Sequence, residues 1–111
     1  MKLRTYRLVG HVAVPCDPAD AFVDRLLVTR SGGDDPWRVA ITDLGKDRCV
    51  STVFLGLDHN FLGKVPHLFE SAIFGKGETN IFDRCSTWEE AEAMHERAVA
   101  FAKAGHLRVI K

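Results

Sequence analysis

At 111 residues the chain has the length of one domain, since domains most often run to roughly 100–150 residues. Its 46% hydrophobic and 27% charged residues are the composition of a globular fold rather than a disordered chain. Fifteen basic residues balance fifteen acidic ones, eight and seven before Asp58, seven and eight from it onward. Neither half therefore carries the basic excess of a protein that binds nucleic acid by neutralising phosphate.

Near-zero net charge also removes one barrier to self-association, so a homodimer is an expectation. Cys16, Cys49 and Cys85 are an odd number with no CxxC pair. That pattern is neither a disulfide framework nor a zinc ribbon, and it suits free thiols in the reducing cytoplasm. Arg4, Arg7 and His11 interrupt the N-terminal apolar stretch a signal peptide would need, and no run approaches the roughly 18 apolar residues of a membrane span.

In chain order, 3–14 is apolar and β-friendly, with Pro15 ending it. Asp17-Pro18 reads as a helix N-cap followed by proline at the first helical position, opening a short helix through Ala21, Phe22, Arg25 and Leu26. A strand over 22–28 is the competing reading. Residues 31–36, SGGDDP, form a loop. Residues 37–43 alternate Trp37, Val39 and Ile41 against Arg38, Ala40 and Thr42, the period of a half-buried strand. After a turn at 45–47, residues 48–57 are apolar on both faces, as a central strand would be. A polar connection over 58–66 leads to a third strand, 67–74. A glycine-bearing turn at 75–79 leads to a fourth, 80–85.

Thr87 with Glu90 three residues on is a capping box. It starts a helix whose apolar stripe is Trp88, Ala91, Met94, His95, Ala98, Phe101 and Ala102, with Gly105 as its stop. A last short strand at 106–110 is a weaker expectation. The predicted fold class is α+β, one domain over 1–111. It is an antiparallel meander of about four strands with one long C-terminal helix, 87–104, on a face, and residues 1–36 extend the sheet.

The residues able to carry chemistry gather around the polar bend and the third strand. Strand alternation puts Glu70 among Leu68, Ala72 and Phe74, where an unpaired carboxylate would cost several kcal/mol; Arg84 and His95 are its candidate partners. Asp58, His59 and Asn60 could hold a polar ligand, or could be ordinary turn formers. His67 and Glu70, three apart in a strand, point to opposite faces and cannot share a metal. Asp58, His59 and His95 could meet, but nothing in their spacing guarantees it, so neither a metal nor a cofactor is assigned. The glycines form no dinucleotide fingerprint or P-loop, and no nucleophile elbow is present, so catalytic residues stay unassigned.

The stretches VSTVFLGLDHNF, PHLFESAIFG and RCSTWEEAEAMHERAV, spanning roughly residues 39–99, resemble a family of small bacteriophage and prophage proteins. Its pattern is STVFLGLDH, LFE, an apolar strand, and R-x-STW-x-EA-x-x-x-H. Asp58, His59, Glu70, Arg84, Thr87, Trp88 and His95 match it residue by residue. Ser71-Ala72 stands where the family often has Thr-Met, and Met94 where a glycine often precedes the histidine. The family has no assigned activity, so the resemblance implies an origin and not a mechanism. Two expectations follow. The first is a phage-derived accessory or interaction protein in the host cytoplasm, with a protein partner. The second is a binder of a small polar ligand or nucleotide, with Asp58, His59, Glu70, Arg84 and His95 in one pocket.

Overall fold

Two-residue turns shape the main sheet. Lys76-Gly77, with φ of 55° and 75°, joins two strands whose right-handed twist such left-handed turn residues match. Lys46-Asp47, at φ 54° and 62°, does the same one hairpin earlier. The computed structural model describes residues 4–30, 35–60 and 63–105. Its elements are β1 (Thr5–Val9), β2 (Val12–Cys16), α1 (Pro18–Arg30), β3 (Arg38–Gly45), β4 (Arg48–Phe54), β5 (Phe69–Gly75), β6 (Glu78–Cys85) and α2 (Trp88–Lys103).

Strands β3-β4-β5-β6 form one antiparallel meander in sequence order, and α2 lies across one face of it. The capping box at the start of α2 is complete: Thr87 Oγ1 accepts from the Glu90 N–H and the Glu90 carboxylate accepts from the Thr87 N–H. Burial of Trp88, Ala91, Met94, His95, Ala98, Val99 and Ala102 confirms which helix face meets the sheet. Two aromatic and aliphatic clusters fill the interface. Trp37, Phe54, Leu68, Phe69, Trp88 and Met94 occupy one end, and Val50, Ile73, Ala98, Val99 and Ala102 the other.

The strands depart from strict alternation at three places, where the register skips Val39, Leu44 and Phe82. Each skipped residue is apolar and packs on a core cluster. A bulge inserts one residue and resets which face the following ones occupy. Hence Ile41, expected beside Trp37 and Val39, lies on the reverse face at 54% exposure, and Thr42 faces α2 instead.

The N-terminal residues do not extend this sheet. β1 and β2 pair with each other as a separate two-stranded sheet. The link between the two sheets is the isolated bridge of Thr5 to Leu57 and the Tyr6 N–H donating to the Gly56 carbonyl at 2.9 Å. Tyr6, Leu8 and Ala13 cap the Trp37–Trp88 cluster, and the His11 ring stacks on Trp88 at 3.8 Å.

Residues from Pro18 onward are helical, not extended. Arg7 on β1 holds α1 through Asp24, with bonds of 3.0 and 2.9 Å, which raise the Arg7 pKa. Unlike α2, this helix leaves most of its described large apolar side chains open: Ala21 is buried, whereas Phe22, Val23, Leu26 and Leu27 are 44–64% exposed. The expected strand at 106–110 and most of the 31–36 loop lie outside the described residues.

Candidate functional site

Asp58 is a loop pin. Its side chain is 2% exposed, and Oδ1 accepts the N–H groups of Asn60 at 2.8 Å and His67 at 2.9 Å. Oδ2 faces the Arg4 guanidinium, whose Nη2 also donates to the Asn60 carbonyl. Burial pushes this carboxyl up, but the two N–H groups and Arg4 outweigh burial and leave it below its ordinary range. Main-chain bonds from Asp58 to Arg4 and from His59 to His67 tie the start of the polar connection to the residue before β1 and to its own far end ahead of β5. The Asn60 amide donates to the Val65 carbonyl at 2.7 Å, so Asn60 braces the same loop.

His95 sits under the sheet at 2% exposure. Its Nε2 meets Thr42 Oγ1 at 2.8 Å and its Nδ1 meets Thr52 Oγ1 at 2.7 Å; Thr52 in turn meets Ser71 Oγ at 2.5 Å. Hydroxyls from β3 and β4 thus meet both nitrogens of the one imidazole of α2, with the β5 hydroxyl of Ser71 one bond further on, and burial holds its pKa below the ordinary value. Protonated, both ring nitrogens would donate and the hydroxyls could still accept, so the cost of protonation is the buried charge itself.

Glu70 pairs with Arg84 at 3.0 Å, directly across from it in the β5–β6 ladder. Thr52 and Ser71 oppose each other facing α2, and the next opposed pair, Val53 and Glu70, therefore points away from it. One register step separates His95's partners from Glu70. The structure consequently does not bring Asp58, His59, Asn60, Glu70, Arg84 and His95 into one hollow. Asp58 and Asn60 hold the loop, Glu70 and Arg84 share the reverse face, and His95 belongs to the core.

His59 lines a cleft among the described residues. Phe22, Arg25, Trp37, Leu55 and Leu57 are its main neighbours there, around a volume of about 450 Å³. The Arg25 guanidinium lies 5.4 Å from the Trp37 ring centroid, a cation–π distance. Trp37 can lie this low because position 56 has no side chain: Gly56 has φ +75°, and a Cβ on it would stand 2.8 Å from the Trp37 ring. Sequence patterns did not point to Arg25 or Trp37 as site residues, because their meeting depends on how α1 folds back against β1. The one sequence signal was the adjacency of large apolar residues at 22–23 and 26–27, too many for a helix with one buried side.

Among the described residues no group of three or more His, Cys, Asp or Glu is arranged to hold a metal ion, and no helix is long and apolar enough to cross a membrane. The cysteines are free; burial, helped by Glu90, pushes the Cys85 thiol up to about 11, so it behaves as a small apolar group. Set against family models, curated proteins and solved structures, the chain matches none of them.

Proposed function

We propose that this chain is a phage- or prophage-derived accessory protein that acts in the host cytoplasm by binding another polypeptide, and that it does so as a homodimer. The observation that carries the binding role is α1. Phe22, Val23, Leu26 and Leu27 occupy adjacent turns with 44–64% of each exposed, a contiguous apolar patch of the kind that marks an interaction surface. Phe22 also forms one wall of the Trp37 cleft, so patch and cleft are continuous. The partner that fits is an apolar segment carrying a carboxylate, its apolar side chains against α1 and the cleft wall and its acid toward Arg25 and His59. The phage origin rests on the residue pattern from Ser51 through His95.

The test is binding of a purified candidate partner by calorimetry to the wild type, to Leu26→Asp/Leu27→Asp, and to Arg25→Ala. Loss of binding in the first variant and a weaker complex in the second, with Glu70→Gln indifferent, is the expected result. Full affinity in the α1 variant would refute the reading. A second reading, a small anionic ligand in the same cleft, draws on its volume, which falls within the roughly 300–1,000 Å³ of small-molecule sites. Thermal shift with nucleoside monophosphates separates the two. A ligand at about 100 times its Kd adds roughly 2.7 kcal/mol, and that gain should vanish in Arg25→Ala if the cleft is the site.

A further inference from the structure

The face of the four-stranded sheet opposite α2 carries an ordered pattern of side chains. Reading across β3, β4, β5 and β6, the opposed residues form three rows: Arg38-Val53-Glu70-Arg84, Ile41-Ser51-Ala72-Ile81, and Asp43-Cys49-Phe74-Thr79. Ile41 and Ile81, at opposite edges of the middle row, are 54% and 42% exposed. Between them stand two small residues, Ser51 and Ala72. The first row carries the positive end of the face, with Glu70 already satisfied by Arg84, and the third row carries a single negative charge, Asp43.

We propose that this face closes an isologous dimer in which Arg38 of each copy meets Asp43 of the other. The inference deepens the homodimer named above and rests on it. Two sheets stacked face to face pack about 10 Å apart with their strands nearly aligned. Two in-plane twofold axes would allow that. An axis running along the strands places Arg38 against Arg84 of the second copy, like charge on like. An axis running across the strands, through the middle row, exchanges the first and third rows. It sets Arg38 against Asp43 twice, brings the exposed isoleucines of the middle row together, and leaves the small Ser51 and Ala72 at the centre, where close approach is needed. The charges therefore select the second arrangement.

The face measures roughly 19 by 20 Å from strand and residue spacings, or about 760 Å² over both copies, below the standard size of specific interfaces and in keeping with a weak, transient contact. A reversible dimer in the micromolar range, weakened by salt, is the corresponding behaviour. None of the cleft-lining residues or the exposed apolar residues of α1 belongs to these three rows, so the dimer contact does not draw on the docking patch.

The experiment is sedimentation velocity on the full chain across micromolar to millimolar concentrations, for the wild type, Arg38→Asp, Asp43→Arg and the double swap. Asp43 Oδ1 also accepts the Gly45 N–H at 2.8 Å, so circular dichroism accompanies each variant to show that the turn and fold persist. The expected result is a dimer whose Kd rises about tenfold or more in each single variant, where two like-charge contacts replace two opposite ones, and returns toward wild type in the double swap. A monomer at every concentration would overturn both the homodimer and this surface. A dimer indifferent to the single swaps, or one broken by Leu27→Asp on α1, would overturn this surface and leave self-association standing. Single variants that weaken the dimer without rescue by the double swap would overturn the Arg38–Asp43 contact.

Discussion

Replacing Thr52 with Val keeps the shape of a fully buried side chain and removes the one oxygen that meets both Ser71 Oγ and His95 Nδ1. Both partners then stay buried, because Ser71 is 0% exposed and His95 2%, and water cannot replace the lost bonds. Leaving a buried polar group unsatisfied costs about 1–3 kcal/mol. Two such groups put the expected destabilisation at about 2–5 kcal/mol once the apolar gain of the added methyl is set against it. That is a large part of the roughly 5–15 kcal/mol a domain has. Urea unfolding followed by far-UV circular dichroism measures it, and a cycle with Ser71→Ala identifies the cause. Ser71→Ala removes one of the orphaned hydroxyls, so the double variant should be less destabilised than the sum of the singles by about 1–3 kcal/mol. A Thr52→Val cost under about 0.5 kcal/mol, or singles that add to within about 0.5 kcal/mol, would refute the network as a stabilising unit.

Gly56→Ala forces a side chain into a φ of +75° and against the Trp37 ring; a loss of roughly 2–4 kcal/mol is expected from backbone strain and overpacking together, with a shift in tryptophan fluorescence as Trp37 is displaced. His95 is held below its ordinary 6.5, so as pH falls the unfolded chain takes up this proton before the folded one and protonation favours unfolding. Stability should be complete above about pH 7.5 and decline as pH drops through about 6.5; His95→Gln should abolish that limb, and a wild type indifferent to pH between about 5 and 7.5 would contradict the burial argument. Asp58, also held low, adds a separate loss as pH falls through the unfolded carboxyl's value near 4. Asp58→Asn should remove that lower limb and cost about 1–3 kcal/mol at neutral pH, through the weakened charge-assisted bonds to Asn60, His67 and Arg4; an unchanged unfolding midpoint would show that the loop does not depend on this pin.

The meander and α2 were written in the sequence because their determinants are local. A capping box needs four consecutive residues, Thr87 to Glu90, and a tight hairpin needs a pair such as Lys76-Gly77 that accepts positive φ. A doubly apolar segment such as 48–54 announces a central strand by its composition alone. The three bulges were not legible, because an extra residue at Val39, Leu44 or Phe82 is chosen by how the neighbouring strand and the helix pack, and no period in the chain records it. Those bulges turned Thr42 inward to His95 and Ile41 outward. The chain likewise singled out Asp58, His59, Asn60, Glu70, Arg84 and His95 as the polar residues set among apolar ones, but not that a single register step puts Glu70 and His95 on opposite sides of the sheet. Local preference fixes the conformation of each segment; which side chains meet is fixed by burial and pairing over long sequence distances. Hence only the tertiary structure could separate the loop pin, the core imidazole and the surface ion pair, and bring Arg25 over Trp37.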